Sequence, residues 1–203
     1  MKFLHFALSA LLAVSTAKPI IKRDSATDAT AITSSLSNIV AKVTTLNNTL
    51  NTFKAKDPLN LITALKIQKQ SNDVGTATDS AISTAQASGP LDDAGSLQVA
   101  LATLSLSTTL KKFLANIETK KPAFDSVLLG LVSLSQTTKA TLVKQKGQAD
   151  QLGAVIASKL TPTYQGLAPG VQSQIDGYFD HAIAVYSQPG GVISLPPLPF
   201  TKE

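Results

Sequence analysis

Apolar residues recur along this chain at the three-and-four spacing of one helix face, in five separate runs. The clearest begins near Ala29 and reads Ile32, Leu36, Ile39, Val40, Val43, Leu46, Leu50, Phe53. Its other positions are Ser, Thr and Asn, poorer helix formers than Glu or Lys, so packing must hold this helix. The stretch "KDPLN" then restarts the chain, with Asp57 expected as an N-cap and Pro58 at the first helical position. A second run, from Leu59 to Ala87, carries Leu59, Ile62 and Leu65. It is diluted by Asn72, Gly75 and Thr78 before Ile82 and Ala85 resume it. Helix is still expected here, with a soft middle, because long structureless connections inside a compact domain are uncommon.

"ASGPLDDAG" supplies a helix stop and, in Asp92 and Asp93, acidic residues for the positive end of the next helix dipole. Leu97, Leu101, Leu104 and Thr108 then fall on one line, and Leu106, Leu110, Phe113 and Ile117 on another. Two apolar faces predict a central helix touched from both sides. A Lys-Lys-Pro turn at 120–122 leads into Phe124, Val127, Leu128, Leu131, Leu134, Leu142, Val143, Leu152 and Ile156, which reads as one long helix with Gly147 as a weak point. The last stripe is Val171, Ile175, Tyr178, Phe179, Ala182, Ile183 and Tyr186, and the Pro-rich tail after it is expected to lie extended. The fold class is all-α: an antiparallel bundle of about five amphipathic helices, without a solenoid repeat.

The first residues follow a different pattern. Lys2 precedes the apolar run "FLHFALSALLAV", too short to span a bilayer but suited to a signal-peptide core, and Ser15 and Ala17 put small residues at the −3 and −1 positions of a cut. Lys22-Arg23 forms a dibasic processing site. The expected organisation is a signal peptide at 1–17, a pro-segment at 18–23, a helical domain at 24–188 and an extended tail at 189–203. This division changes the electrostatics. Four of the 18 basic residues and none of the 13 acidic ones precede Asp24, which takes the net charge from +5 to +1. No basic stripe with interleaved aromatics remains to bind nucleic acid. Lys111-Lys112 and Lys120-Lys121 read as solvated helix ends. With no Cys the domain has no disulfides, and with no Trp its core must be built from aliphatic residues and a few Phe and Tyr.

Candidate chemistry is sparse. His181 is the one histidine after Asp24, and Asp180 beside it cannot share its helix face, so no triad is expected. No cluster has the spacing of a metal site, and no phosphate loop or nucleophile elbow is present. Asp92-Asp93 is explained by helix capping. A non-enzyme without a cofactor is the expectation.

The segments "RDSATDATAITSSLSNIVAKVTTLNNTLNTF", "LQVALATLSLSTTLKKFLANIETKKPAF" and "YQGLAPGVQSQIDGYFDHAIAVY" resemble the fungal hydrophobic surface-binding protein A family, which overlaps the cell wall galactomannoproteins. The likeness spans residues 24 to 187 and rests on helical pattern and spacing. It implies a secreted, extracellular or wall-associated protein that adsorbs to apolar surfaces, and a bundle that in some relatives holds a long-chain fatty acid. For such a lipid, Leu104, Leu128, Leu131, Phe179 and Ile183 are the expected tunnel lining, with a Ser or Thr near one end holding the carboxylate. The same residues equally suit an ordinary core. The alternatives are an adsorber on wax or polyester that recruits a secreted hydrolase, and a glycosylated structural mannoprotein of the wall. Asn47-Asn48-Thr49 is a single N-glycosylation sequon, inside the first helix. The chain ends in "PLPFTKE", without the hydrophobic tail a lipid anchor needs, so free secretion is expected over covalent attachment to the wall.

Overall fold

The computed structural model describes residues 24–55, 57, 59–127, 132–190 and 193–194. Five long helices carry the fold: α1 (Ser25–Thr52), α2 (Asn60–Ala87), α3 (Asp93–Thr119), α5 (Ser135–Ala157) and α7 (Ala168–Ser187). Two short helices, α4 (Lys121–Asp125) and α6 (Pro162–Gln165), lie in the connections before and after α5. Among the described residues no helix is long and apolar enough to cross a membrane.

The five helices pack as a ring in the order α1, α2, α5, α7, α3 and back to α1. Consecutive long helices run in opposite directions, as short connections require. Around the ring, however, several neighbours are parallel. Ser25 at the start of α1 bonds Asp92 at the start of α3, and Asn47 and Asn51 near the end of α1 accept from Asn116 near the end of α3. Likewise, Gln145 and Gln148 of α5 donate to the carbonyls of Ser71 and Gly75 on α2 in step.

The stripe expected on α1 is the spine of the core. Ile32, Leu36, Ile39, Val43, Leu46, Leu50 and Phe53 are all buried. Asp28 is buried among them and accepts a hydrogen bond from the Gly89 N–H at 2.8 Å, which ties the α2–α3 turn to the start of α1. Asp92 is the N-cap of α3, accepting from the Gly95 N–H at 2.8 Å. That bond, with the Ser25 hydroxyl, holds its carboxyl below the ordinary value.

Three expectations need correction. First, α2 begins at Asn60, after the expected Asp57-Pro58 start. The Asp57 carboxylate instead accepts from the Leu59 N–H and makes a turn. The buried face of α2 holds Asn60, Ala64, Ile67, Val74, Ala77 and Ala81, while Leu59, Ile62 and Leu65 point outward. Second, α3 is not central. Its Leu106, Leu110, Phe113 and Ile117 line is buried, but Leu97, Leu101 and Leu104 face solvent. Third, the long helix expected from Phe124 to Ile156 is two elements, because α4 ends at Asp125 and α5 starts at Ser135. Between them, β1 (Val132–Ser133) pairs in parallel with β2 (Ile193–Ser194) from the tail.

Asp125 organises this break. Its carboxylate accepts from Lys121 Nζ at 2.5 Å, from the Ser133 hydroxyl at 2.9 Å and from the Ser135 hydroxyl. Burial pushes its carboxyl up, but the bonds from Lys121, Ser135 and Ser133 outweigh that and leave it below the ordinary value. Above it, Phe53, Phe124 and Tyr186 stack edge to face, with ring centroids 4.7 and 5.6 Å apart. The Tyr186 hydroxyl donates to the Ile117 carbonyl at 2.7 Å. These rings close the end of the bundle where α1, α3 and α7 finish.

Candidate functional site

At the opposite end the packing is open. In the ring, α7 separates α3 from α5. Near its start, α7 leaves a cavity of about 550 Å³ between the three helices and α6. The sequence makes this space by placing small side chains where a filled core would need large ones: Ala100 on α3, Ala149, Gly153 and Ala157 on α5, and Ala168 on α7. Leu36, Leu106, Leu110, Leu152, Ile156 and Ile175 form its inner wall, and Leu104 and Leu167 stand at its exposed edge. The lining is predominantly apolar.

The amide end of the Gln172 side chain lies over Gly153, where a methyl group would make it move aside. Gln172 in turn donates to both Asp150 and Asp176 at 2.8 Å. Burial raises the Asp150 carboxyl above its ordinary value, and the adjacent Asp176 raises it further by hydrogen bonding and like charge. One helical turn away, Lys146 pairs with Asp180 at 2.6 Å, which holds the ammonium above its usual range.

The remaining polar groups of the lining are mostly committed. The Thr103 and Ser158 hydroxyls donate to their own helices, at Val99 and Val155, and Gln165 donates to Leu160. Tyr164, half-buried at the α6 edge, is the cavity hydroxyl that donates to no partner among the described residues. Among the described residues no group of three His, Cys, Asp or Glu is placed to hold a metal ion. His181, the histidine weighed for a triad, pairs with Glu118 through Nδ1 at 2.8 Å on the outer surface.

Of the expected lining residues, Leu104 is at the cavity. Phe179 is buried in the core and Ile183 packs at its margin, and neither reaches the cavity; Leu128 and Leu131 lie outside the described residues, as do the processing positions Ala17, Lys22 and Arg23. Asn47 accepts from Asn116 at 2.8 Å, and Thr49 of the same sequon is buried, so a glycan there would have to displace an interhelical contact. The signal that finds the site is the small-residue spacing Ala149, Gly153, Ala157, every fourth residue on one face of α5.

Fold and site together define a helical bundle that encloses an apolar cavity beside one open end. The family model described as hydrophobic surface binding protein A matches residues 29–158. The chain belongs to that family. No curated protein matches it. Among solved structures, AfMP4p in complex with palmitic acid is similar with a TM-score of 0.71 and 28% identity, covering 78% of this chain and 99% of that one. Ligand binding domain 1 of the Penicillium marneffei MP1 protein, complexed with arachidonic acids, gives a TM-score of 0.69 at 20% identity, over 79% of this chain and 99% of that one. Ligand binding domain 2 of the same protein, in complex with arachidonic acids, gives 0.70 at 18% identity, over 84% and 99%.

Proposed function

We propose that the chain is a non-enzymatic binding protein that holds a long-chain fatty acid, or a lipid with such a chain, in the cavity between α3, α5 and α7. The apolar cavity of about 550 Å³ carries this reading, because it falls within the usual range of ligand pockets and exposes few polar atoms to an acyl chain. The palmitic and arachidonic acids in the similar structures support it. A dozen buried methylenes contribute on the order of 10 kcal/mol, offset by several kcal/mol for immobilising the ligand. The carboxylate is assigned to the Tyr164 side of the mouth, away from the negative Asp150 and Asp176.

Native mass spectrometry of the delipidated chain with added palmitate tests the reading; one bound chain is expected, and no binding overturns it. Replacing Ala157 with Phe fills the cavity from the α5 side and is expected to weaken binding about tenfold or more. Unchanged affinity would move the site elsewhere.

The same proposal takes the chain to be secreted and to begin at Asp24 after two cuts. Support comes from α1, which starts at Ser25 with Asp24 as its N-cap residue, so both cuts leave the first helix whole. N-terminal sequencing of the secreted protein checks this.

A further inference from the structure

The surface around the cavity mouth carries an apolar stripe that runs on beyond the binding site. On α3, Leu97, Leu101 and Leu104 are 45%, 58% and 49% exposed, and on the α6–α7 turn Leu167 is 63% exposed. The first three are spaced by four and three residues and so form one line along the helix. Leu104 and Leu167 also line the cavity, while Leu97 and Leu101 extend the stripe beyond it. Within the stripe itself there is no charge, since residues 94–110 and 160–175 contain no Lys, Arg, Asp or Glu; the carboxylates beside it are Asp93, one turn before Leu97 and bonded to Thr161, and Asp150 in the cavity lining. A charged side chain within the stripe would have to be desolvated against an apolar layer, and residues 94–110 and 160–175 supply none. Both edges of the opening thus offer hydrocarbon to whatever covers them.

We infer that this face docks on an uncharged lipid layer and that the ligand passes directly between layer and cavity without crossing water. The inference rests on the fatty-acid reading above. The stripe selects a neutral layer over an anionic one, since residues 94–110 and 160–175 hold no cation to attract lipid phosphates and the carboxylates beside them, Asp93 and Asp150, repel them. The opening selects a lipid layer over a folded partner, because an acyl chain leaving the cavity between Leu104 and Leu167 stays in contact with hydrocarbon throughout. A direct route also avoids exposing each methylene of the chain to water in transit. The other exposed apolar set, Leu59, Ile62 and Leu65 at the start of α2, lies toward the closed end and borders no cavity residue. It is flanked by Lys66 and Lys69.

The test is transfer of a fluorescent long-chain fatty acid from the loaded, secreted chain to phosphatidylcholine vesicles that carry a quencher. Direct docking makes the rate rise in proportion to vesicle concentration and leaves it unchanged between about 0.1 and 1 M NaCl, where charge-driven contact would be screened. The double variant Leu97→Glu and Leu101→Glu, which leaves the cavity lining intact, is expected to bind the probe with unchanged Kd and to transfer it about tenfold more slowly. Ile62→Glu is expected to transfer at the parental rate. A rate independent of vesicle concentration, with binding intact, overturns docking alone. So does an equal loss in Ile62→Glu, or a rate that needs anionic lipid and collapses in salt. Failure of the unaltered chain to bind the probe at all overturns both readings.

Discussion

Lys120 and Lys159 each reach across to the carbonyl end of a helix that has no cation in its own last turn. Lys120 donates to Asn51 and Phe53 at the end of α1, and Lys159 to Gln86 and Ser88 at the end of α2. A positive charge at that position complements the helix dipole. Lys159→Met is therefore expected to cost about 0.5–1 kcal/mol, or about 2–3 °C in Tm by scanning calorimetry. Asp150 has the opposite character. Its folded carboxyl titrates above the ordinary value, so the bundle loses stability as pH rises from that value through the folded one. Asp150→Asn keeps an acceptor for Gln172 and offers Asp176 an N–H. The pair is largely exposed and screened, so the expected gain at neutral pH is a few tenths of a kcal/mol, about 1 °C, vanishing below about pH 4. A gain that persists in acid would mean that repulsion within the pair is not its source. None of these partners is legible from the sequence, because each joins residues more than twenty positions apart or depends on which helices become neighbours.

At the scale of elements, periodicity located all five long helices and failed on phase and continuity. Periodicity suffices on α1 because nearly every large apolar residue of its stripe is buried. On α2 the large residues Leu59, Ile62 and Leu65 are the exposed ones, and the burial goes to Asn60, Ala64 and Gly75, which hydropathy ranks low. The polar middle of α2 is helical and stitched to α5 by Gln145 and Gln148. The α4–α5 break is not legible because its apolar residues continue the helical spacing, while the bonds that gather Lys121, Ser133 and Ser135 on Asp125 have no periodic signal. Of the expected lining residues Leu104 borders the cavity, while Phe179 and Ile183 on α7 lie nearer the closed end. Phe124, held on the short α4, joins two other rings there. Phe124→Ala is expected to destabilise by about 3–5 kcal/mol in urea unfolding, whereas a cost below about 1 kcal/mol would show that the rings are not packed as a unit.

For the whole molecule, the decisive property is that its two ends differ. One is sealed by Phe53, Phe124 and Tyr186, and the other opens on a cavity framed by small residues. The seal has a pH limit. Burial, with the negative Asp125 and Glu118, pushes the Tyr186 hydroxyl well above the usual tyrosine range. An acid whose folded value is raised loses stability as pH climbs past its unfolded value, so the bundle weakens above about pH 10. Tyr186→Phe removes the bond to Ile117 and is expected to cost about 1 kcal/mol near neutrality. It also removes the ionisable group. Chemical denaturation at neutral and alkaline pH should therefore show the variant weaker in the first condition and stronger in the second, and a constant difference would mean that Tyr186 does not drive alkaline unfolding.

The chain has no Trp and three Tyr, of which Tyr164 stands at the open end, Tyr178 beneath Lys111 and Tyr186 inside the seal. The protein thus contains its own optical gauge. Ultraviolet difference spectra taken as a ligand is added should register at Tyr164 while the Tyr186 band stays still. In an alkaline titration, phenolate absorbance from Tyr186 should arrive only when the circular dichroism of the helices is lost.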